Sequence, residues 1–408
     1  MGTSNGTQPV ELEKVIIVTP TDLSRDAVIK ISSLLVRSYR KSGELELKVQ
    51  ICCAILLIAG VAPTLFAQTA AKKNPRIPPV AILLTPKTDT TGAGVEAISA
   101  TDEGRSASEK PSLANVESAR NFFRAGVASI DGGQYKDAIG SLEAARKLVP
   151  NSIAVYTQLG NAYLGQSEYE NSIKAFERAV SLGSTAAAVR GAIGLGYLKL
   201  AQPEKAILPL QEATRGEPKN ANNHYLLALA YDGIGKLDDS VDEYLRSIGV
   251  DRNHFLSYFG LAAVYSEQSR NEDAIGLLKE AIRLKPDFAE AYLALGDVLS
   301  FTGNYKDAIH NFDSAIKLIP DSALARNNLG VAYLRIGKDK EGLAALQCAA
   351  ALAPKVGEIH VNLARAYLRV RNKEAALAEY SLLKTFDSEK AKIVYDEIFQ
   401  NQILKVQN

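Results

Sequence analysis

The chain has 408 residues, 47% of them apolar, and a formal charge of +1 from 47 Lys and Arg against 46 Asp and Glu. That apolar content supports a folded core, while the balanced charge lacks the basic excess of a nucleic-acid footprint, so no nucleic-acid partner is expected. Three cysteines, two of them adjacent at Cys52 and Cys53, cannot build a disulfide framework; His224, His254, His310 and His360 form no Cys/His cluster, so neither metal nor cofactor is expected.

Residues 1–48 form a leader with no motif, although Val15 to Val18 reads as a short strand and Asp22 to Arg40 as an amphipathic helix. The uncharged run Val49 to Ala67 follows Arg37, Arg40, Lys41 and Lys48. A basic flank before an apolar run is a targeting signature. It is read either as a secretory signal cleaved after Ala67 or as an uncleaved membrane anchor. The expected location is therefore exported, periplasmic or membrane-anchored, and cytoplasmic if 49–67 does not act as a targeting segment. From 68 to 118 the sequence turns to Ala, Thr, Pro, Lys and Gly, as in KKNPRIPPV, and is expected to be a disordered linker with too few apolar groups to offset chain entropy.

From Ala119 to Lys390 one register of 34 residues repeats eight times without insertion, beginning at Ala119, Ile153, Ala187, Ala221, Phe255, Ala289, Ala323 and Gly357. The eighth place of each copy is small, as in Gly160, Gly194 and Ala228, while the eleventh is a ring in most copies, as in Tyr163, Tyr197 and Tyr231. The twentieth place is again small (Ala138, Ser172, Ala206) and the twenty-fourth large (Leu142, Phe176, Leu210). Small residues let two helices approach, and large ones fill the space between neighbouring hairpins. Gly133, Gly235, Gly303 and Gly337 mark the turn inside a hairpin, and Pro150, Pro218, Pro286, Pro320 and Pro354 at place 32 mark the start of the next.

These residues resemble the tetratricopeptide repeat family, with its small residue at place 8, Tyr at 11, Ala at 20, aromatic or Leu at 24 and Pro at 32. The sixth copy reads AEAYLALGDVLSFTGNYKDAIHNFDSAIKLIPDS. Place 4, where the family carries an aromatic, holds Arg190, His224, Arg326 and His360 in four copies, and Ser184 replaces one proline. The resemblance implies an all-α, right-handed superhelical solenoid of eight helical hairpins over 119–390. Residues 391–408, with Ile393, Val394, Ile398, Ile403 and Leu404 at helical spacing, suit a C-terminal capping helix.

The same resemblance implies that places 2, 5, 9, 12 and 13 face a concave groove. Mapped here, the groove offers Phe123, Val127 and Ile130 early, then Tyr225, Leu229, Phe259, Leu293 and Phe301. It ends at Asn327, Arg335, Arg365 and Arg369, with Asn328 and Asn362 at place 6. Stacked amides can bond the backbone of an extended peptide and guanidiniums a carboxylate, so the last copies are the expected binding segment. Gly191, Gly194 and Gly196 follow no strand and form no phosphate loop, and no nucleophile elbow or metal spacing occurs, so an enzyme is not expected. The expected function is a scaffold that binds a protein or peptide. Rival expectations are a docking subunit for a separate enzyme, such as a glycosyltransferase or protease, and a self-associating envelope assembly factor that forms homo-oligomers.

Overall fold

The computed structural model describes residues 112–406, with side chains through Phe399, so the leader, the 49–67 run and most of the linker lie outside the described residues. The described residues form seventeen α-helices and no strand. Copies one to four give α1 (Leu113–Asp131), α2 (Tyr135–Leu148), α3 (Ile153–Gly165), α4 (Tyr169–Ser181), α5 (Ala187–Lys199), α6 (Pro203–Gly216), α7 (Ala221–Gly233) and α8 (Leu237–Val250). Copies five to eight give α9 (Phe255–Glu267), α10 (Asn271–Leu284), α11 (Ala289–Phe301), α12 (Tyr305–Leu318), α13 (Ala323–Arg335), α14 (Asp339–Leu352), α15 (Gly357–Arg369) and α16 (Lys373–Leu383); α17 (Ser388–Val406) closes the array. The first helix starts at Leu113, ahead of the expected boundary at 118, because Ser112 caps it by accepting from the Asn115 backbone N–H. No helix of the described residues is long and apolar enough to cross a membrane.

Each helix packs on the next in sequence, and at all joints but that between copies two and three the first helices also meet one another substantially. The second helices do not share such contacts with each other. Crowding first helices on one side and spacing second helices on the other bends the stack, with first helices lining the inner side.

Within a hairpin the contact between places 8 and 24 sets the closest approach. A Cβ added to Gly160 would lie 2.6 Å from the Phe176 ring, and one added to Gly296 would lie 2.5 Å from Phe312. Where Ser replaces Ala at place 20, its hydroxyl finds a partner in the same seam: Ser172 donates to the Gly160 carbonyl at 2.8 Å and Ser240 to that of Ala228 at 2.9 Å.

The turn inside every hairpin has one construction. The residue at place 15 has positive φ in all eight copies: Gly133, Gly235, Gly303 and Gly337, but also Ser167, Ala201, Ser269 and Arg371. In each, the place-16 N–H reaches the place-11 carbonyl and the place-15 N–H the place-12 carbonyl, as for Asn304 to Leu299 and Gly303 to Ser300. This Schellman closure needs a left-handed residue whether or not a glycine is present.

The polar residues at place 4 also obey a rule. Arg190 donates to the carbonyl of Ser184, His224 to Pro218, Arg326 to Pro320 and His360 to Pro354, each crossing to place 32 of the preceding copy. Replacing the family's aromatic with a donor exchanges ring packing for a hydrogen bond that ties one hairpin to the previous one.

Candidate peptide groove

The places expected to face the groove divide into three groups. Tyr225 has no exposed surface, and Phe123 and Leu229 are also buried, so these three belong to the core. This burial has a local cause: Tyr225 is covered by the rings of Tyr244 and His254, with centroids 6.0 and 5.3 Å away, and α7 is buried without interruption from Asn223 to Ala230. Phe259 and Leu293 are half-buried; Phe259 meets Phe288 edge-on at 5.0 Å, and Leu293 packs on the core of the middle copies. Phe301, by contrast, is 77% exposed at the end of α11.

The asparagines are occupied. Arg365 donates to Asn362 Oδ1 at 3.4 Å, Asn362 Nδ2 to Asn327 Oδ1 at 3.0 Å, Asn327 Nδ2 to Asn328 Oδ1 at 2.9 Å, and Asn328 Nδ2 to Asp297 Oδ1 at 2.7 Å. Four bonds thus run in one sense across α15, α13 and α11. Its two ends dictate that sense, because a guanidinium only donates and a carboxylate only accepts. Asn327 and Asn362 are buried in the chain, so they hold adjacent copies in register and do not offer a free row of amides to a ligand backbone. Asp297 is exposed by area, yet the concave wall thins the water around it; this desolvation pushes its pKa up to about 6 against the opposing pull of the Asn328 amide.

Beside this ladder lies a recess of about 410 Å³. Its floor is apolar, made of Val331, Leu334 and Leu368, and its rim is Arg335, Asn362, Arg365, Arg369 and Glu397. α13 supplies Arg335, α15 supplies Asn362, Arg365 and Arg369, and Glu397 comes from α17, outside the repeats. Arg365 grips Glu397 through Nε at 3.0 and 3.1 Å and through its terminal nitrogen at 2.7 Å; Arg369 Nε donates to Asp339 at 2.7 Å. The exposed Arg335 has no ion-pair partner among the described residues. An apolar floor under guanidiniums can hold a hydrocarbon side chain and an acidic group together.

The cap helix seats through Ala391, Val394 and Ile398 against Val361, Ala364, Ala376 and Leu383. Ile393, expected on the same face, is 44% exposed, and the side chains of Ile403 and Leu404 lie outside the described residues. Sequence reasoning named Arg335, Arg365 and Arg369 but missed Glu397 and Asp297. Asp297 was legible as a place-9 residue, whereas no place rule extends to α17. No group of His, Cys, Asp and Glu among the described residues could hold a metal ion.

Models of the family described as TPR repeat match residues 264–300 and 302–337, and others described as tetratricopeptide repeat match 123–188 and 221–254. Among solved structures, YrrB, described as a TPR protein with an unusual peptide-binding site, is 20% identical with a TM-score of 0.40, over 50% of this chain and 97% of its own. PilF of Pseudomonas aeruginosa is 19% identical with a TM-score of 0.47, over 52% of this chain and 97% of its own. The APC/C Cut9–Hcn1 hetero-tetramer is 17% identical with a TM-score of 0.49, over 69% and 56%. No curated protein sequence matches the chain.

Proposed function

We propose that this chain, which belongs to the tetratricopeptide repeat family, is a protein-interaction scaffold that holds a segment of a partner protein on the inner face of its last three copies. The observation that carries this reading is the recess between α13, α15 and α17, where an apolar floor meets Arg335, Arg365 and Arg369. Phe301, one copy earlier at the same place as Arg335, extends that surface with an exposed ring. Phe259 and Leu293 add partial apolar area further along, while Asn327, Asn328 and Asn362 act by keeping copies six to eight in register. Binding alone is the mechanism, with no reaction assigned to the chain.

The location we propose is beyond the cytoplasmic membrane, released or tethered, from the basic flank and apolar run at 49–67. Exposed Ile393 and Tyr395 on α17 favour self-association as the second reading, since they leave apolar area on the terminal helix. Use as a docking arm for a separate enzyme fits the same recess and differs only in the partner.

A crosslinking pulldown with the full chain tests the main reading. Arg335→Glu and Phe301→Ser are the variants of choice, because both residues are exposed. Loss of specific partners with unchanged circular dichroism is the expected result; retention of every partner in both variants moves binding away from this face. A rise in mass with concentration, removed by Ile393→Glu, would instead favour self-association.

A further inference from the structure

The rim of the recess holds three guanidiniums, but among the described residues only two carboxylates reach them. Arg369 is satisfied by Asp339 of α14, within the repeats, whereas Arg365 is satisfied by Glu397 of the terminal helix. Glu397 approaches as a ligand carboxylate would, accepting two parallel N–H bonds from one edge of the guanidinium, at 2.7 Å from the terminal nitrogen and 3.1 Å from Nε. Arg365 in turn is the first donor of the ladder that ends on Asp297, so the group that holds the cap also orients Asn362. The ion pair adds to an apolar seat made by Ala391, Val394 and Ile398, so the cap stays docked but is held less tightly when the pair opens.

We propose that the recess is a site for the carboxylates of an acidic peptide segment, and that Glu397 fills the Arg365 fork as an intramolecular competitor until such a segment displaces it. This rests on the reading of the inner face as a binding surface and adds the chemistry of the occupant. Charge complementarity selects an acidic segment: Arg335 stands unpaired among the described residues, and Arg365 is released when Glu397 leaves. The apolar floor takes the hydrocarbon stems of the acidic side chains. An exchange of one exposed carboxylate for another is cheap, because a half-exposed ion pair contributes little by itself. The competitor therefore weakens binding only roughly 1.5-fold to fivefold, enough to reject a segment carrying one stray charge while admitting one that also engages Arg335.

The test uses the full chain and fluorescence anisotropy with a fluorescein-labelled glutamate decamer, against a glutamine decamer of the same length. The expected result is salt-sensitive binding of the glutamate peptide only. It should tighten roughly 1.5-fold to fivefold in Glu397→Gln, vanish in Arg335→Glu, and stay unchanged in Lys306→Glu on the outer helix α12. Hydrogen exchange on the unmodified chain supplies a second readout: the glutamate decamer should speed exchange in α17 around Glu397. If the peptide binds and needs Arg335 but Glu397→Gln leaves its affinity unchanged and α17 exchange does not move, the competitor role is wrong. If the decamer binds neither the parent chain nor Glu397→Gln, the acidic occupant is wrong. Loss of pulldown partners in Arg335→Glu would then still uphold the binding face, which separates the two readings.

Discussion

His224 and Glu243 meet at 2.6 Å, with His224 Nδ1 on the carboxylate and its Nε2 3.1 Å from the Pro218 carbonyl. His360 and Glu379 repeat the arrangement four copies later, at 2.6 Å, with Nε2 3.0 Å from Pro354. Both ring nitrogens face acceptors, so each ring satisfies its site only as an imidazolium with two N–H donors. The pKa of each histidine is raised above 6.5, chiefly by the glutamate hydrogen bond and against the cost of burial; Arg246 on Glu243 works against His224. A raised folded value means that the two joints contribute fully below the unfolded value near 6.5 and lose their contribution as pH rises through the folded one. The urea midpoint should therefore fall as pH rises from below about 6.5 through the raised folded values. In a His224→Phe, His360→Phe double variant this alkaline slope should flatten, and an unchanged slope would assign it elsewhere.

The left-handed turn residues give a second prediction. Ala201, at φ 55°, has no side-chain group to offset the crowding of its Cβ in that conformation. Ala201→Gly should stabilise the chain by about 0.5–1 kcal/mol, and Gly303→Ala, at φ 84°, should destabilise it by a similar amount. Paired denaturation curves check the opposite signs; equal signs would mean that the turn is not held left-handed in solution.

At the hairpin seam, Gly296→Ala should cost about 1–3 kcal/mol. The added methyl meets the Phe312 ring, which is fully buried and cannot swing aside as an exposed chain end could. In copy four the place-8 residue is already Ala228, buried in one cluster with the place-24 Tyr244, so the penalty belongs to the local spacing of copy six and not to place 8 as such. Thermal denaturation of Gly296→Ala with Phe312→Leu should recover part of the loss.

In the asparagine ladder, Asn362→Ala removes the donor to Asn327 and the acceptor of Arg365 together, leaving the buried Asn327 oxygen without that partner. The expected cost is about 1–3 kcal/mol, read as earlier unfolding of α15 to α17 in hydrogen exchange. Asp297→Asn should be milder at neutral pH, since it removes a charge that its surroundings disfavour. With a folded pKa of about 6 against an ordinary 3.8, Asp297 stabilises the fold more as pH drops through that interval, and the Asn variant should lack that part of the acid-side rise. Solvent screening at this exposed group keeps the difference at or below about 1 kcal/mol.

The 34-residue register, the hairpin turns and the pairing of places 8 and 24 follow from sequence, because they depend on which residue sizes recur, and size is written in the chain. Gly133, Gly235, Gly303 and Gly337 revealed their turns for the same reason. Ser167, Ala201, Ser269 and Arg371 concealed theirs, since hydrogen bonding from the flanking helices imposes the backbone conformation there against local preference.

The inner surface was only partly legible. A place number tells where a side chain leaves its own helix, but burial depends on what the adjacent copies bring against it. Tyr225 and Phe259 share place 5, yet Tyr244 and His254 close over Tyr225 while Phe259 keeps partial exposure. Likewise Asn327, Asn328 and Asn362 were recognisable as amides on one face; that they would satisfy each other, and that Glu397 of the terminal helix would reach Arg365, required the distances between copies. Sequence determined the repeating hairpin because its packing is local and periodic. Tertiary structure alone decided which polar groups remain for a partner, because hydrogen bonds between copies use up donors and acceptors in pairs that no single repeat contains.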